Sequence, residues 1–147
     1  MVSRFLLFYV SLIFPIFIDD WRSLMTSPTL SSHHLSAILP AAAVVYHWTE
    51  ADFLSLLKSV VGQVGLTMVG EVAFTFQPHG VSAIALLAES HVALHFWPEK
   101  AKVTVDIHVC DFEQGNQVKA EQLAQLLSLQ ITGKSCVEHW HCLSITS

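Results

Sequence analysis

An α+β fold, with an antiparallel sheet carrying helices on one face, is what the 147-residue sequence predicts. Three observations carry that prediction. Two segments repeat apolar residues at helical spacing, several others read as strands, and the links between strands are of hairpin length. The element order is β-α-β-β-β-α-β, which favours an antiparallel sheet over a parallel one wound by crossovers.

The first strand is expected in Ala41 to Trp48, a short apolar run, AAAVVYHW. Thr49 then offers an N-cap, with Glu50 in the first turn and Asp52 three residues on. Phe53, Leu56, Leu57, Val60, Val61 and Val64 follow at helical intervals, and Gly65 stands where a left-handed stop is wanted. Leu66 to Phe76 reads as a strand, closed by the turn Gln77-Pro78-His79-Gly80. A further apolar run, Val81 to Ala88, leads directly into SHVALHFW. There Ser90, Val92, Leu94 and Phe96 share one face, and His91, Ala93, His95 and Trp97 the other. After the turn Pro98-Glu99-Lys100, the segment Lys102 to Cys110 alternates cleanly. Val103, Val105, Ile107 and Val109 lie on one side, and Lys102, Thr104, Asp106, His108 and Cys110 on the other. Gln117 to Gln130 is the second amphipathic helix, through Val118, Leu123, Leu126 and Leu127, ending near Gly133. A strand over about Ser135 to Ile145 closes the order.

Composition narrows the function. Apolar residues make up 52% and charged ones 13%, enough for a single core, with an excess that suggests doubly covered strands or a subunit interface. A net charge of −5 without a basic cluster argues against a nucleic-acid binder. Cys110, Cys136 and Cys142 are an odd number at irregular spacing, which points to a reducing, cytoplasmic setting instead of a disulfide framework. Residues 2–18 resemble the start of a secretory signal, but no small-x-small site follows. The run is short for a membrane span and is interrupted by Pro15. Residues 1–40 are therefore expected to be an apolar leader and a Ser/Thr/Pro/His-rich linker, with Met25 a candidate start, and 41–147 the folded domain. No membrane partner is expected.

Polar residues suited to chemistry cluster between His79 and Cys110: Ser82, Glu89, Ser90, His91, His95, Glu99, Asp106 and His108. The plainest reading places them on the solvated face of a half-exposed sheet. His91, His95, His108 and Cys110 are metal-ligand types, yet they form no recognisable motif, and no metal is expected. No Gly-x-Ser-x-Gly elbow surrounds Ser82 or Ser90, which argues against a serine hydrolase.

A resemblance adds a fourth reading. The segment FQPHGVSAIALLAESHVALHFWPEKAKVTVDIHVC, Phe76 to Cys110, resembles the heart of the bacterial and archaeal S-adenosylmethionine decarboxylase proenzymes. F-x-P-x-G-V-S, A-E-S-H, H-x-W-P-E and a V-D-I-type strand ending in Cys recur in order and without a gap. The resemblance implies a two-layer sandwich that dimerises, with active sites built across the interface from cleaved α and β chains. It implies self-cleavage between Glu89 and Ser90, leaving a pyruvoyl group at position 90 as the cofactor. The substrate amine would condense on that ketone as a Schiff base, an electron sink that no ordinary side chain provides. By the same resemblance Ser82 assists ester formation, His95 drives elimination, and Cys110 donates the proton to the decarboxylated carbon. Phe76 stacks on the adenine and Glu99 holds the ribose hydroxyls of S-adenosylmethionine. The product would be the aminopropyl donor for spermidine synthesis.

The sequence departs from the family pattern in four places. Phe96 stands for a Thr, Lys100-Ala101-Lys102 for an aromatic-and-Gly stretch, and Asp111 for the Gly after the cysteine. Val44 to Trp48 also lacks a Gly-Cys-Asp signature. These changes spare the self-processing residues and fall around the pocket and strand ends. Two alternatives stay open: a pyruvoyl-dependent ornithine or arginine decarboxylase of this fold, or a silent paralogue regulating a partner subunit.

Overall fold

The alternation in Lys102–Cys110 sets the orientation of the whole sheet. In the computed structural model, which describes residues 29–111, 115–135 and 137–147, the valines and Ile107 of this strand are buried while its other residues are half-exposed. Six strands form one antiparallel sheet: β1 (Ser31–Pro40), β2 (Met68–Thr75), β3 (Val81–Leu87), β4 (Ser90–Trp97), β5 (Lys102–Cys110) and β6 (Trp140–Thr146). Their spatial order is β2-β3-β4-β5-β1-β6. Helices α1 (Glu50–Gln63) and α2 (Gln117–Thr132) lie on one face, α1 against β2 and β3, α2 against β1 and β5.

The core lies between these layers. Leu39, Ala83, Val92, Leu94, Val103 and Ile107 from the sheet meet Phe53, Leu57, Val60, Leu123, Leu127 and Ile131 from the helices. Each large apolar side chain removed from water contributes about 1.5–3 kcal/mol, so this face sets strand register as well as stability. Among the described residues the opposite face has no helix on it. Val72, Phe74, Ile84, Leu86, Ile38, Leu143 and Ile145 stand exposed there.

Helix α1 starts at the expected capping box. Asp52 N–H donates to Thr49 Oγ1 at 3.4 Å, and Thr49 N–H donates to the Asp52 carboxylate at 2.7 Å. Gly65 follows its end with φ +71, and Gly133 caps α2 with φ +73. Val118, expected on the buried stripe of α2, is 64% exposed, and Ala120, Ala124 and Ile131 take that place.

Three expectations need correction. Residues 31–40, read as linker, form β1, which pairs with both β5 and β6. Leu35, Ala37 and Leu39 are buried while Ser36 and Ile38 alternate outward, a two-residue period that the Ser/His/Pro composition concealed. Ala41 to Trp48 is not a strand. Ala43–His47 is a short 3-10 turn, and only Val45 in it is buried. Its ends are tied by Ala41 N–H to the Ala101 carbonyl and Ala42 N–H to the Ile131 carbonyl. The run from Val81 to Trp97 is two strands, folded back at Ala88-Glu89. Residues 1–28, Phe112 to Gln114 and Cys136 lie outside the described residues, and so does the expectation of a leader. Among the described residues no helix is long and apolar enough to cross a membrane, and Cys110 and Cys142 are free thiols.

Candidate active site

The hairpin between β3 and β4 has a two-residue turn, Ala88-Glu89, and three hydrogen bonds hold it. Ala88 N–H donates to the Thr67 carbonyl at 2.9 Å, and Thr67 N–H donates to Glu89 Oε2 at 3.2 Å. The Glu89 carbonyl accepts from Cys110 N–H at 2.9 Å. Ser90 follows with φ +148, a value that side chains other than glycine rarely adopt. Its hydroxyl lies 3.3 Å from His91 Nδ1. Cys110, half-buried, closes this end, with its Sγ 3.9 Å from His108 Nε2.

The other end of β4 carries a cleft of about 500 Å³, whose lining includes Phe76, His79, Ser82, His95, Trp97 and Glu99. Ser82 on β3 and His95 on β4 are register partners, and Ser82 Oγ sits 2.6 Å from His95 Nδ1. Gly80, with φ +109, closes the preceding turn through its carbonyl, which accepts from Phe76 N–H at 2.8 Å. A Cβ at Gly80 would approach the Phe96 carbonyl to 3.1 Å, so the turn is built around this glycine. Glu99 faces His79 at 3.5 Å, and both side chains are about half exposed. Such a pair is worth at most about 1 kcal/mol, which leaves the Glu99 carboxylate free to exchange His79 for another donor.

The structure thus sorts the expected residues into two groups. Glu89, Ser90 and Cys110 come together at the hairpin, and Phe76, Ser82, His95 and Glu99 at the cleft. Ser90 and His95 lie five residue steps apart on β4, a span of about 16 Å at 3.3 Å per residue. Within one chain the Ser82–His95 pair does not reach Ser90.

Between the two groups runs a row of histidines. His91, His108 and His34 are register neighbours on β4, β5 and β1. His108 is held below the ordinary histidine range, first by burial and then by His34 and His91 beside it, while Asp106 opposes the shift. The histidine types are visible in the sequence; their adjacency depends on strand register and is not. Thr67, which grips Glu89, carries no signal in the sequence at all.

Three departures from the family pattern find places here. Phe96 turns inward, 6% exposed, against Tyr46 and Phe53. Ala101 takes φ +52, a conformation easier for glycine. The Asp111 carboxylate accepts from Asn116 N–H at 2.7 Å and meets buried His33 at 3.1 Å. It is held below the usual carboxylate value, chiefly by Asn116 N–H. Asn116 Nδ2 also donates to the Cys110 carbonyl at 3.0 Å, so this network fixes the end of β5.

The fold is a two-layer α+β sandwich that sets a serine at positive φ directly after a carbonyl held by a backbone N–H. Comparison with known proteins specifies it further. The family described as S-adenosylmethionine decarboxylase matches residues 46–138, and the chain belongs to that family. It is 34% identical over 90 residues to the S-adenosylmethionine decarboxylase proenzyme of Aquifex aeolicus, covering 61% of this chain and 64% of that protein. The proenzyme of Archaeoglobus fulgidus is 44% identical over 72 residues, 49% of this chain and 61% of that one. The chain therefore spans somewhat under two thirds of the length of these curated relatives. The crystal structure of the Aquifex aeolicus adenosylmethionine decarboxylase superposes with a TM-score of 0.60 at 28% identity, covering 80% of this chain and 89% of that one.

Proposed function

We propose that this chain is a self-processing, pyruvoyl-dependent S-adenosylmethionine decarboxylase that works as a dimer and supplies the aminopropyl donor for spermidine synthesis. The observation that carries the reading is the geometry of Glu89-Ser90. A positive φ at a serine costs about 1–3 kcal/mol, and cutting the peptide bond before Ser90 removes that restraint. The Glu89 carbonyl already has a donor, Cys110 N–H, aligned on the oxygen where negative charge develops.

Residues of two copies of the chain account for the steps. Ser90 Oγ attacks the Glu89 carbonyl carbon, and His91 Nδ1 stands where the hydroxyl proton leaves. The C–N bond breaks to give an ester and a free amine. Removal of the Ser90 α-proton then breaks the Cβ–O bond, freeing the Glu89 carboxylate and leaving a dehydroalanine that hydrolyses with loss of ammonia. His95 is the base for that proton, oriented by Ser82. Because it lies about 16 Å from Ser90 of its own chain, His95 of the partner subunit must serve. The exposed apolar side chains of the open sheet face supply a surface for that second copy. A pyruvoyl group at position 90 would supply an electron sink for the pair left by carbon dioxide loss. Cys110 gives a proton to the decarboxylated carbon. Phe76 offers the adenine a flat apolar partner, and Glu99 offers the ribose hydroxyls an acceptor pair.

Intact-mass analysis tests this directly. The purified protein should separate into a fragment ending at Glu89 and a fragment blocked at residue 90, and Ser90→Ala should remain whole. One intact wild-type chain with a free serine at 90 would end the proposal. Carbon dioxide release from S-adenosylmethionine, ornithine and arginine then identifies the substrate.

A further inference from the structure

We propose that the imidazole of His108 reloads Cys110 with the proton that it gives up at each turnover, drawing on the row of histidines beside it. The proposal rests on the decarboxylase reading, which makes Cys110 a proton donor but leaves unexplained how its thiol is restored.

His108 Nε2 lies 3.9 Å from Cys110 Sγ, two residues along the same face of β5. Its ring centroid is 4.5 Å from that of His34 and 5.5 Å from that of His91. His34 Nε2 in turn lies 3.2 Å from Asp106 Oδ1. These are the titratable groups that face His108: His34 from β1, His91 from β4, and Asp106 and Cys110 from its own strand. The β6 residue opposite His34 is Leu143, and the helices lie on the other face of the sheet.

Burial first, and then repulsion from His34 and His91, oppose protonation of His108 while Cys110 holds its proton. Loss of that proton reverses the balance. A thiolate within about 4 Å favours the imidazolium, so His108 takes a proton from the His34 or His91 side and passes it through Nε2 to Sγ. The S–H bond re-forms and His108 returns to neutral. One proton enters from solvent for each one delivered to product. Cys110 is partly buried, whereas the His34 side chain is 46% exposed and opens the row to solvent. His108 acts through Cys110 and touches no reacting atom.

The test separates this role from space-filling. His108→Phe keeps the ring and removes the nitrogens, and His108→Ala opens room for a free imidazole. First, the pH dependence of iodoacetamide labelling at Cys110 is followed by peptide mass in the full-length protein. The pH profile of labelling should differ between wild type and His108→Phe, because the nearby ring nitrogen exchanges a proton with the thiol. Second, kcat for S-adenosylmethionine should fall about ten-fold in both variants with KM little changed, and added imidazole should restore His108→Ala but not His108→Phe. Coincident labelling profiles overturn the proposal, as does a loss of kcat that imidazole leaves unmoved. If wild type decarboxylates nothing, the functional reading fails separately, and the labelling profiles still decide whether His108 governs the thiol.

Discussion

The two ends of β4 are built by different means. At the hairpin end, the groups brought together are largely backbone: the φ of Ser90, the carbonyl of Glu89 and the N–H groups of Cys110 and Thr67. At the cleft end they are side chains: the Ser82–His95 pair, the Phe76 and Trp97 rings and the Glu99 carboxylate. A site made of backbone depends on strand register and tolerates changes in neighbouring side chains. A site made of side chains depends on their identity. The hairpin can therefore absorb the replacement of a glycine by Asp111, which merely anchors the strand end, whereas each substitution in the cleft should be read directly in binding.

If the two ends belong to one composite site, mixing variants should show it. Ser90→Ala keeps its cleft and His95→Ala keeps its hairpin, and neither should cleave alone. Co-expressed, the His95→Ala chains should be cut in about half of their copies under random pairing in a two-fold dimer. Intact mass of the mixture measures this, and no cleavage in the mixed dimer would break the comparison.

Within the hairpin half, Cys110→Ala retains the backbone N–H that grips Glu89 but loses the thiol. It should still self-cleave while decarboxylation falls about 100-fold, in keeping with loss of a positioned proton donor. Separate assays of fragment formation and carbon dioxide release resolve the two effects. Full turnover would remove Cys110 from its role.

The cleft half should respond more gently. Phe76→Ala removes a stacking surface worth about 1–3 kcal/mol, by analogy with base stacking. Glu99→Gln weakens a charged hydrogen bond worth about 1.5–3 kcal/mol. Each should raise the KM for S-adenosylmethionine about ten-fold and leave self-cleavage intact. Turnover of an amino-acid substrate, which has neither adenine nor ribose, should be much less affected.

The smallest effect should come from the N-terminus of α1, which is tied to the cleft end of β2: Thr75 Oγ1 donates to Glu50 Oε1 at 2.7 Å. Thr49→Ala removes the N-cap and should cost roughly 1 kcal/mol in chemical denaturation, without altering cleavage. The contribution of the cap depends on pH. Thr49 backbone and hydroxyl donors hold the Asp52 carboxyl below its ordinary value of 3.8. A depressed carboxyl adds stability above its unfolded pKa and loses it as pH falls through the folded value. The difference between wild type and Asp52→Asn should therefore be present at neutral pH and shrink below about pH 4.

Much of this architecture was legible in the chain. The period of Phe53 to Val64 and the Thr49–Asp52 spacing determine α1 because helix geometry is local, as is the alternation in Lys102–Cys110. The motif around Glu89-Ser90 was legible because its order along the chain is unbroken. What stayed hidden was non-local. β1 has the right alternation, but only pairing with β5 and β6 makes a Ser- and His-rich segment worth ordering. The turn at Ala88-Glu89 carries neither Gly nor Pro, so the long apolar run gave no sign of its reversal. The positive φ of Ser90 and the meeting of three histidines follow from how the strands pair, and the span between Ser90 and His95 from their lying on one extended strand. Sequence by itself determined the local elements and the chemical groups, because both depend on near neighbours. Tertiary structure alone decided which groups meet, because strand pairing joins residues that the chain holds far apart.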